Sequence, residues 1–325
     1  MTYKKHYSVL NKEVVDILNE NCEQLDNINF ADMTFGAGGH TFALAGKNEN
    51  IKVYSVDQDP DALKNGRSHI EELGLTERVF LNDMNFEEFP DFIKENHPNL
   101  KFNGIVADLG VSSHHFDQGE RGFSFRFDAP LDMRMDADND ELETAAYIVN
   151  NYSKEDLENI FFRYGEEKFS HRIVRSILEK REIAPIETTK QLEQLIINCY
   201  PKKLQFGKIN PATKCFQALR IKVNKELDVL ERVIPGLIDL LDINGRLAII
   251  TFHSLEDRIV KNLFKDAVQG EIPYELYSKK PIVPSHGELE ENPRSRSAKL
   301  RVICKIKEKK SKNKYAHFSK IGENR

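Results

Sequence analysis

The segment Phe35-Gly36-Ala37-Gly38-Gly39-His40 has residue types that could hold a ligand at a strand-to-helix turn. Glycines allow a tight turn and a close backbone approach. A helix that starts there offers free N–H groups. A dinucleotide fingerprint needs a third glycine at position 41, and this chain has Thr41. Taken alone, the turn is explained as well by a ligand-free junction. Asp57 changes the balance. It ends the next apolar run, twenty-one residues after Gly36. A carboxylate there can accept hydrogen bonds from both ribose hydroxyls of an adenosine moiety. Asp59 is the competing acid, but it precedes Pro60 and suits a helix cap better. Asp108 ends a further run, at Asp108-Leu109-Gly110. It can accept a hydrogen bond from an amine of cofactor or substrate; it can also simply form an Asp-x-Gly turn.

Next comes Gln118-Gly119-Glu120-Arg121-Gly122-Phe123-Ser124-Phe125-Arg126-Phe127. Arginines among aromatics suit RNA, because phosphates pair with guanidinium and bases stack on rings. The same alternation would suit a strand burying Phe123, Phe125 and Phe127. The acids Asp128, Asp132, Asp136, Asp138 and Asp140 match no metal-loop spacing and read as a solvated acidic loop, so no metal is expected. The four cysteines, Cys22, Cys199, Cys215 and Cys304, form no C-x-x-C pair. That argues against zinc and against disulfides.

Net charge is −5, but it is unevenly spread. From Arg294 onward twelve Lys and Arg face two Glu, a net of +10, which leaves −15 on residues 1–293. A basic end on an acidic body suits a polyanion; a solvated Lys-rich tail explains it equally. No apolar run approaches the roughly 18 residues of a membrane span. The start of the chain has no signal-like apolar segment. The expectation is a cytoplasmic protein with no membrane partner.

These residues need a scaffold. Apolar runs at 28–35, 51–56, 78–81 and 104–107 read as strands, with a helix over Asp61–Leu73 among the intervening segments. Such alternation predicts a parallel, doubly wound α/β sheet. From about 114 to 208 the pattern turns helical, with helices predicted over 155–164, 168–182 and 188–200. Phe216, Leu219, Val223, Leu227, Leu230 and Val233 then recur on one helical face. A strand over 247–252, opened by Asn244-Gly245, a helix from Ser254 with Ser254 as its cap, and a last strand over 299–304 complete the chain. The expected organisation is a discontinuous sheet domain of residues 1–113 and 209–325, interrupted by a helical block of residues 114–208. That block would overhang the carboxyl edge of the sheet, where ligands bind.

Several motifs together carry a specific resemblance. They are His6-Tyr7-Ser8-Val9-Leu10, Phe35 to His40, Asp108 to Ser113, Glu120 to Phe125 and Pro130-Leu131-Asp132-Met133-Arg134-Met135-Asp136. Phe162-Arg163-Tyr164-Gly165-Glu166, Phe216-Gln217-Ala218-Leu219-Arg220-Ile221 and Thr251-Phe252-His253-Ser254-Leu255-Glu256-Asp257-Arg258 follow in order. Nearly end to end, the chain resembles the bacterial small-subunit rRNA cytosine-N4 methyltransferases known as RsmH or MraW. The resemblance implies a Rossmann-like class I methyltransferase sheet with an inserted helical, RNA-substrate domain. It implies S-adenosylmethionine as methyl donor and the exocyclic amine of one decoding-centre cytidine of 16S rRNA, within the small subunit, as acceptor. Carried over by position, the cofactor contacts are Gly38, Gly39, His40, Asp57, Phe86, Asp108 and His115. The chain departs from the family at His115, commonly glutamine, at Asn210, often histidine, and at Lys214, often arginine. Asp108 is the candidate catalytic acceptor for the amine proton. Methylation at cytosine C5 would need a cysteine nucleophile, and no cysteine sits beside the glycine turn at a strand end. Two rivals stand beside this reading: a nicotinamide-dependent oxidoreductase on the same sheet, and an RNA-binding assembly factor with a vestigial pocket.

Overall fold

The computed structural model describes residues 8–20, 22, 24–110, 119–136, 139, 141–207 and 209–308. Its strands are β1 (Ile28–Asp32), β2 (Ile51–Asp57), β3 (Val79–Asp83), β4 (Phe102–Asp108), β5 (Leu241–Thr251), β6 (Tyr274–Leu276) and β7 (Lys299–Lys305). They form one seven-stranded sheet in the order β3-β2-β1-β4-β5-β7-β6. The first five are parallel to one another, and β7 lies antiparallel between β5 and β6. This is the order of the Rossmann-like class I methyltransferase sheet that the resemblance implied.

The strands read as continuous apolar runs because both faces of the sheet are covered. In β4, Val106 packs on one face while Ile105 and Ala107 pack on the other. In β5, Ala248 and Ile250 oppose Leu247 and Ile249 in the same way. The first face is closed by α1 (Asn11–Asn19), α2 (Gly39–Ala45) and α3 (Pro60–Glu72), through residues such as Val14, Leu44 and Ile70. The helix α4 (Phe89–Asn96) closes the second face through Phe89 and Ile93. The chain runs outward from β1 to β3, then returns to β4 on the other side of β1. That reversal opens a crevice at the carboxyl ends of β1 and β4, the place where open α/β sheets bind ligands.

Between β4 and β5 lie α5 (Ala145–Asn151), α6 (Lys154–Arg163), α7 (Ser170–Arg181), α8 (Thr189–Asn198), α9 (Lys202–Gln205), α10 (Thr213–Val223) and α11 (Glu226–Asp239). Of these, α11 packs back on the sheet through Val233 and Leu237. The others surround a third apolar cluster that includes Leu157, Phe161, Ile173, Ile177, Leu192, Ile196 and Phe216. That cluster continues past residue 208, through α10 to Val223. The last helices are α12 (Ser254–Gln269), on the second face of the sheet, and α13 (His286–Glu291).

Three local expectations need correction. The apolar periodicity from Phe216 to Val233 is divided between two helices, because Lys225 sits at φ 51° and breaks the run. Asn224 holds the break: its Oδ1 accepts from Met135 N at 2.8 Å, and its Nδ2 donates to Met133 O at 2.8 Å and to Arg220 O at 2.9 Å. The cap of α12 is His253, not Ser254, in a reciprocal capping box with Glu256. Phe123 to Phe127 form turns rather than a strand; Phe123 is buried, while Phe127 is 48% exposed. Part of the basic terminus is strand β7, whose Lys299 and Arg301 both engage Asp257, at 3.0 and 2.6 Å. Residues 309–325 lie outside the described residues.

Asn224 therefore ties α10 to the segment carrying Met133 and Met135. Asn224→Ala removes three hydrogen bonds; Met135 N and Met133 O lose this partner outright, while Arg220 O keeps its bond from the backbone N–H of residue 224. The expected cost is about 1–3 kcal/mol, read as a lower Tm in calorimetry. An unchanged Tm would show that the break does not depend on this side chain.

Candidate functional site

The turn after β1 is built around two carboxylates. Asp32 is fully buried, accepting from Thr34 N at 3.1 Å and from the Thr41 hydroxyl at 2.7 Å. Thr41 also meets the Ser55 hydroxyl at 2.8 Å, so its side chain locks β1 and β2 to α2. Asp57 accepts from Gly36 N at 2.7 Å and from Asp59 N at 2.9 Å. Those bonds fix the glycine turn, and a carboxylate has further lone pairs to offer. Asp59 caps α3, accepting from Asp61 N, with Pro60 in the first turn.

Gly36 and Gly38 both adopt the left-handed region, at φ 51° and 76°. They serve differently. Gly36 lines a cavity of about 600 Å³, together with Gly39, His40, Asp57, Phe86 and Asp108. Gly38 is not among the lining residues; a Cβ there would run into the Phe42 and Phe35 rings. A Cβ on Gly39 would collide with the Ser8 hydroxyl. Phe86 is half-buried beyond the end of β3, beside Met84 and Asn85 in the cavity wall. His115, and the rest of 111–118, lie outside the described residues.

His40 is 3% exposed, and among the described residues neither ring nitrogen has a hydrogen-bond partner. Its Nε2 lies 3.6 Å from Asp108 Oδ2, a Coulombic contact rather than a hydrogen bond. Asp108 is held through its backbone, with Asp108 N donating to Thr34 Oγ1 at 2.7 Å, and among the described residues its buried Oδ1 has no hydrogen-bond partner. Burial pulls the imidazole pKa down. The adjoining Asp108 carboxylate, with Asp32 and Glu288, outweighs that and holds it above the ordinary value.

The opposite wall comes from the chain between β4 and β5. Phe123, Ser124, Phe125, Arg126 and Met135 line it, as do Phe216 and Arg220 of α10. Phe125 and Phe216 meet edge to face at 5.1 Å. Arg121 anchors this segment to the cofactor-side loop: it donates to Asp59 Oδ1 at 3.2 Å and to the carbonyls of Arg134 and Met135 at 2.9 and 2.6 Å. Asp132, one of the run of acids, is gripped by the Arg134 fork at 2.8 and 2.9 Å.

Sequence reasoning gave no role to a polar cluster where α10, α11 and α12 meet the cavity. Arg220 binds Glu226 through two bonds of 2.8 and 2.9 Å. His253 Nε2 lies 3.1 Å from Glu256 Oε1. Burial would raise the Glu256 carboxyl, but His253 and Arg220 prevail and hold it below its ordinary value. Glu226, His253 and Glu256 are close enough to share a cation. However, Arg220 already occupies both oxygens of Glu226, and Glu256 Oε2 already accepts from Phe252 N at 2.8 Å. The set is an ion-pair network. Glu256, three residues after His253 at a helix start, was the available signal for part of it. The Arg220–Glu226 pair spans the helix break and had no periodic signature.

A sheet of this order, with a cavity at its switch point, fits an S-adenosylmethionine-dependent methyltransferase. The model of the MraW methylase family matches residues 3–306. The chain belongs to that family. It is 45% identical over 304 residues to "Ribosomal RNA small subunit methyltransferase H" of a Picosynechococcus species, covering 94% of this chain and 97% of that one. It is 44% identical over 302 residues to the protein of the same name from a Sulfurihydrogenibium species, covering 93% and 99%. Among solved structures, an rRNA methylase from Streptococcus thermophilus aligns over 90% of this chain and 93% of its own, at 13% identity and a TM-score of 0.43. No helix among the described residues is long and apolar enough to cross a membrane.

The raised His40 pKa sets a pH dependence. The imidazolium is favoured in the folded state, so its contribution is fully present below the unfolded pKa of about 6.5. It is lost as pH rises through the higher folded value. The Tm of the wild type minus that of His40→Gln is expected to fall as pH increases above about 6.5. A flat difference would show that His40 is not held charged by Asp108.

Proposed function

We propose that this protein transfers a methyl group from S-adenosylmethionine to the exocyclic N4 amine of a decoding-centre cytidine in 16S rRNA, presented within the small ribosomal subunit in the cytoplasm. The observation that carries the reading is a single cavity with two unlike walls. One is the glycine turn and strand ends of the sheet. The other is the arginine- and phenylalanine-bearing chain between β4 and β5. The names of the relatives supply the small-subunit rRNA; the resemblance supplies the cytosine amine.

The residues present fit the methyl donor. Asp108 Oδ1, buried and without a hydrogen-bond partner among the described residues, suits an ammonium group. Asp57, at the end of β2, lines the cavity, and a carboxylate there suits ribose hydroxyls. The half-buried ring of Phe86 suits an adenine face. Gly38, Gly39 and His40 would form the turn beneath, with Gly36 at the cavity surface, and His115 completes the expected set. When bound, S-adenosylmethionine supplies an electrophilic sulfonium methyl group.

The chain's own residues must supply orientation and a proton acceptor. An exocyclic cytosine amine is a poor nucleophile, because its lone pair is delocalised into the ring. Holding it in line is therefore a large part of the rate. The base must first leave its stack, and Phe125 offers a ring against which it can pack. Asp108 is the acceptor for the amine proton. Attack through carbon C5 would need a thiolate. All four cysteines are buried and none lines the cavity, which supports nitrogen as the target. The block of residues 114–208, together with α10, whose core it shares, acts as the RNA-substrate domain. Residues 1–113 and the chain from α11 onward carry the donor.

The deciding experiment incubates the purified protein with labelled S-adenosylmethionine and small subunits that lack the modification, then maps the product by mass spectrometry. The expected product is a single N4-methylated cytidine. Methyl on C5, or no transfer, would overturn the proposal. Asp108→Asn is expected to lower kcat by about 10²–10⁴-fold, the range of a lost general base; full-rate turnover would remove Asp108 from the reaction. Asp57→Ala is expected to weaken donor binding by about 10–100-fold, the equivalent of 1.5–3 kcal/mol for a bond to a charged group. Equilibrium dialysis checks this, and tight binding of a nicotinamide dinucleotide in the same assay would point to an oxidoreductase instead.

A further inference from the structure

Glu167 is buried away from the cavity and fastens two segments together. Its Oε1 accepts from Phe169 N at 2.8 Å and its Oε2 from the Tyr200 hydroxyl at 2.6 Å. The Phe169 and Tyr200 rings meet at 4.7 Å, and Cys199 Sγ lies 3.8 Å from Arg172 O. These contacts bring the start of α7 against the chain that follows α8. Lys168 and Arg172 stand on the first segment, Lys202 and Lys203 on the second. All four are exposed, and among the described residues none of their side chains makes an ion pair or hydrogen bond. The neighbouring exposed acid, Glu166, is turned instead to Arg258 and Ser254.

The second segment also leaves Leu204 and Phe206 exposed, the latter at 90%. The backbone on either side of that ring is tied down. Gln205 Nε2 donates to Tyr200 O at 2.8 Å. Asn210 Nδ2 donates to Glu193 Oε1 at 2.7 Å, and its Oδ1 accepts from Ala212 N at 2.8 Å. A large ring held in water beside unpaired cations marks an interaction surface. The cations select the partner. Residues 1–293 carry −15, so a polyanion is received only where positive side chains gather. Cations for phosphates and an open ring for an unpaired base match single-stranded nucleic acid. None of these residues lines the cavity, but α10, which supplies Thr213, Phe216 and Gln217 to its wall, begins seven residues after Phe206.

We propose that Lys168, Arg172, Lys202 and Lys203, with Leu204 and Phe206, form a second RNA-binding surface. It takes a single-stranded segment of the substrate RNA away from the nucleotide that receives the methyl group. This rests on the reading of the inserted block as the substrate domain and adds where on that block the RNA is held. Each phosphate contact to a single strand contributes about 0.7 to the slope of log K against log salt.

The test uses the full chain and a fluorescent oligouridylate, which contains no acceptor cytidine, in anisotropy titrations over a range of salt concentrations. The pairs Lys168→Gln with Arg172→Gln, and Lys202→Gln with Lys203→Gln, are each expected to flatten the slope by about 1.4, and all four together by about 2.8. Phe206→Ser is expected to weaken binding about 5-fold or more with the slope unchanged, as for a lost stacking ring. Lys64→Gln, at an exposed position of α3 in the sheet domain, is the charge control and should leave the slope as it is. With small subunits as substrate, the fourfold variant should raise KM while kcat stays near the wild-type value. Tm values equal to wild type exclude misfolding as the cause. Slopes that match wild type in both pairs, a matching loss in Lys64→Gln, or an unchanged KM overturn the surface and leave the patch to a protein partner. Methyl transfer by the wild type to small subunits separates the two readings. Transfer intact with slopes unchanged sinks the second surface alone, whereas slopes flattened with no transfer sinks the acceptor assignment alone.

Discussion

The two walls of the cavity belong to different cores, and a run of polar contacts around Asp57 and Asp59 holds them in register. Asp57 binds the backbone of Gly36 and of Asp59. Asp59 then receives Arg121 from the segment between β4 and α5, and Arg121 also holds the carbonyls of Arg134 and Met135. Asp59 and Arg121 are both largely buried, at 4% and 15% side-chain exposure, so this ion pair is only weakly screened by solvent. Removing Asp59 would leave the largely buried Arg121 guanidinium without this counterion, which costs far more than the pair itself contributes. The glycine turn and the aromatic wall are thus positioned by one connected set of groups.

The second joint is Asn224. It fastens the far end of the same segment to the junction of α10 and α11. Between Arg121 and Asn224 the backbone carrying Phe123, Phe125 and Arg126 is held at both ends, which is what a site needs to present side chains at fixed positions. The Arg220–Glu226 pair bridges the same junction from within α10, facing the cavity. A break in a helix, unfavourable for either helix alone, sets the direction of the lower wall.

Much of this was legible in the chain. Apolar runs covered on both faces announced β1, β2, β4 and β5, because only a doubly wound sheet buries continuous hydrophobic strands. Asp59 before Pro60 announced its own cap. The glycines announced a turn that a Cβ would obstruct, although the division of labour between Gly36 and Gly38 was not visible. The short β6 carried too little pattern to read, and the helices from Phe216 to Val233 carried too much, since one apolar face continues across the break at Lys225. Periodicity reports which residues face a core. It does not report the backbone angle that ends a helix.

The sequence by itself determined the class of fold, the turn and the acids at the strand ends, since these follow from local spacing and from the need to bury apolar runs. It also determined the family, through motifs in a fixed order. The tertiary structure decided which of those groups are free to act. Thr41, read as a missing glycine, turned out to lock Asp32. Asp57 is shared between turn and cavity, whereas Asp108 keeps a buried oxygen with no hydrogen-bond partner among the described residues. Lys299 and Arg301, counted with a basic tail, are neutralised by Asp257 in the sheet. The reason is physical: a charge has the same identity anywhere along the chain, but whether it is satisfied depends on partners brought in from tens or hundreds of residues away.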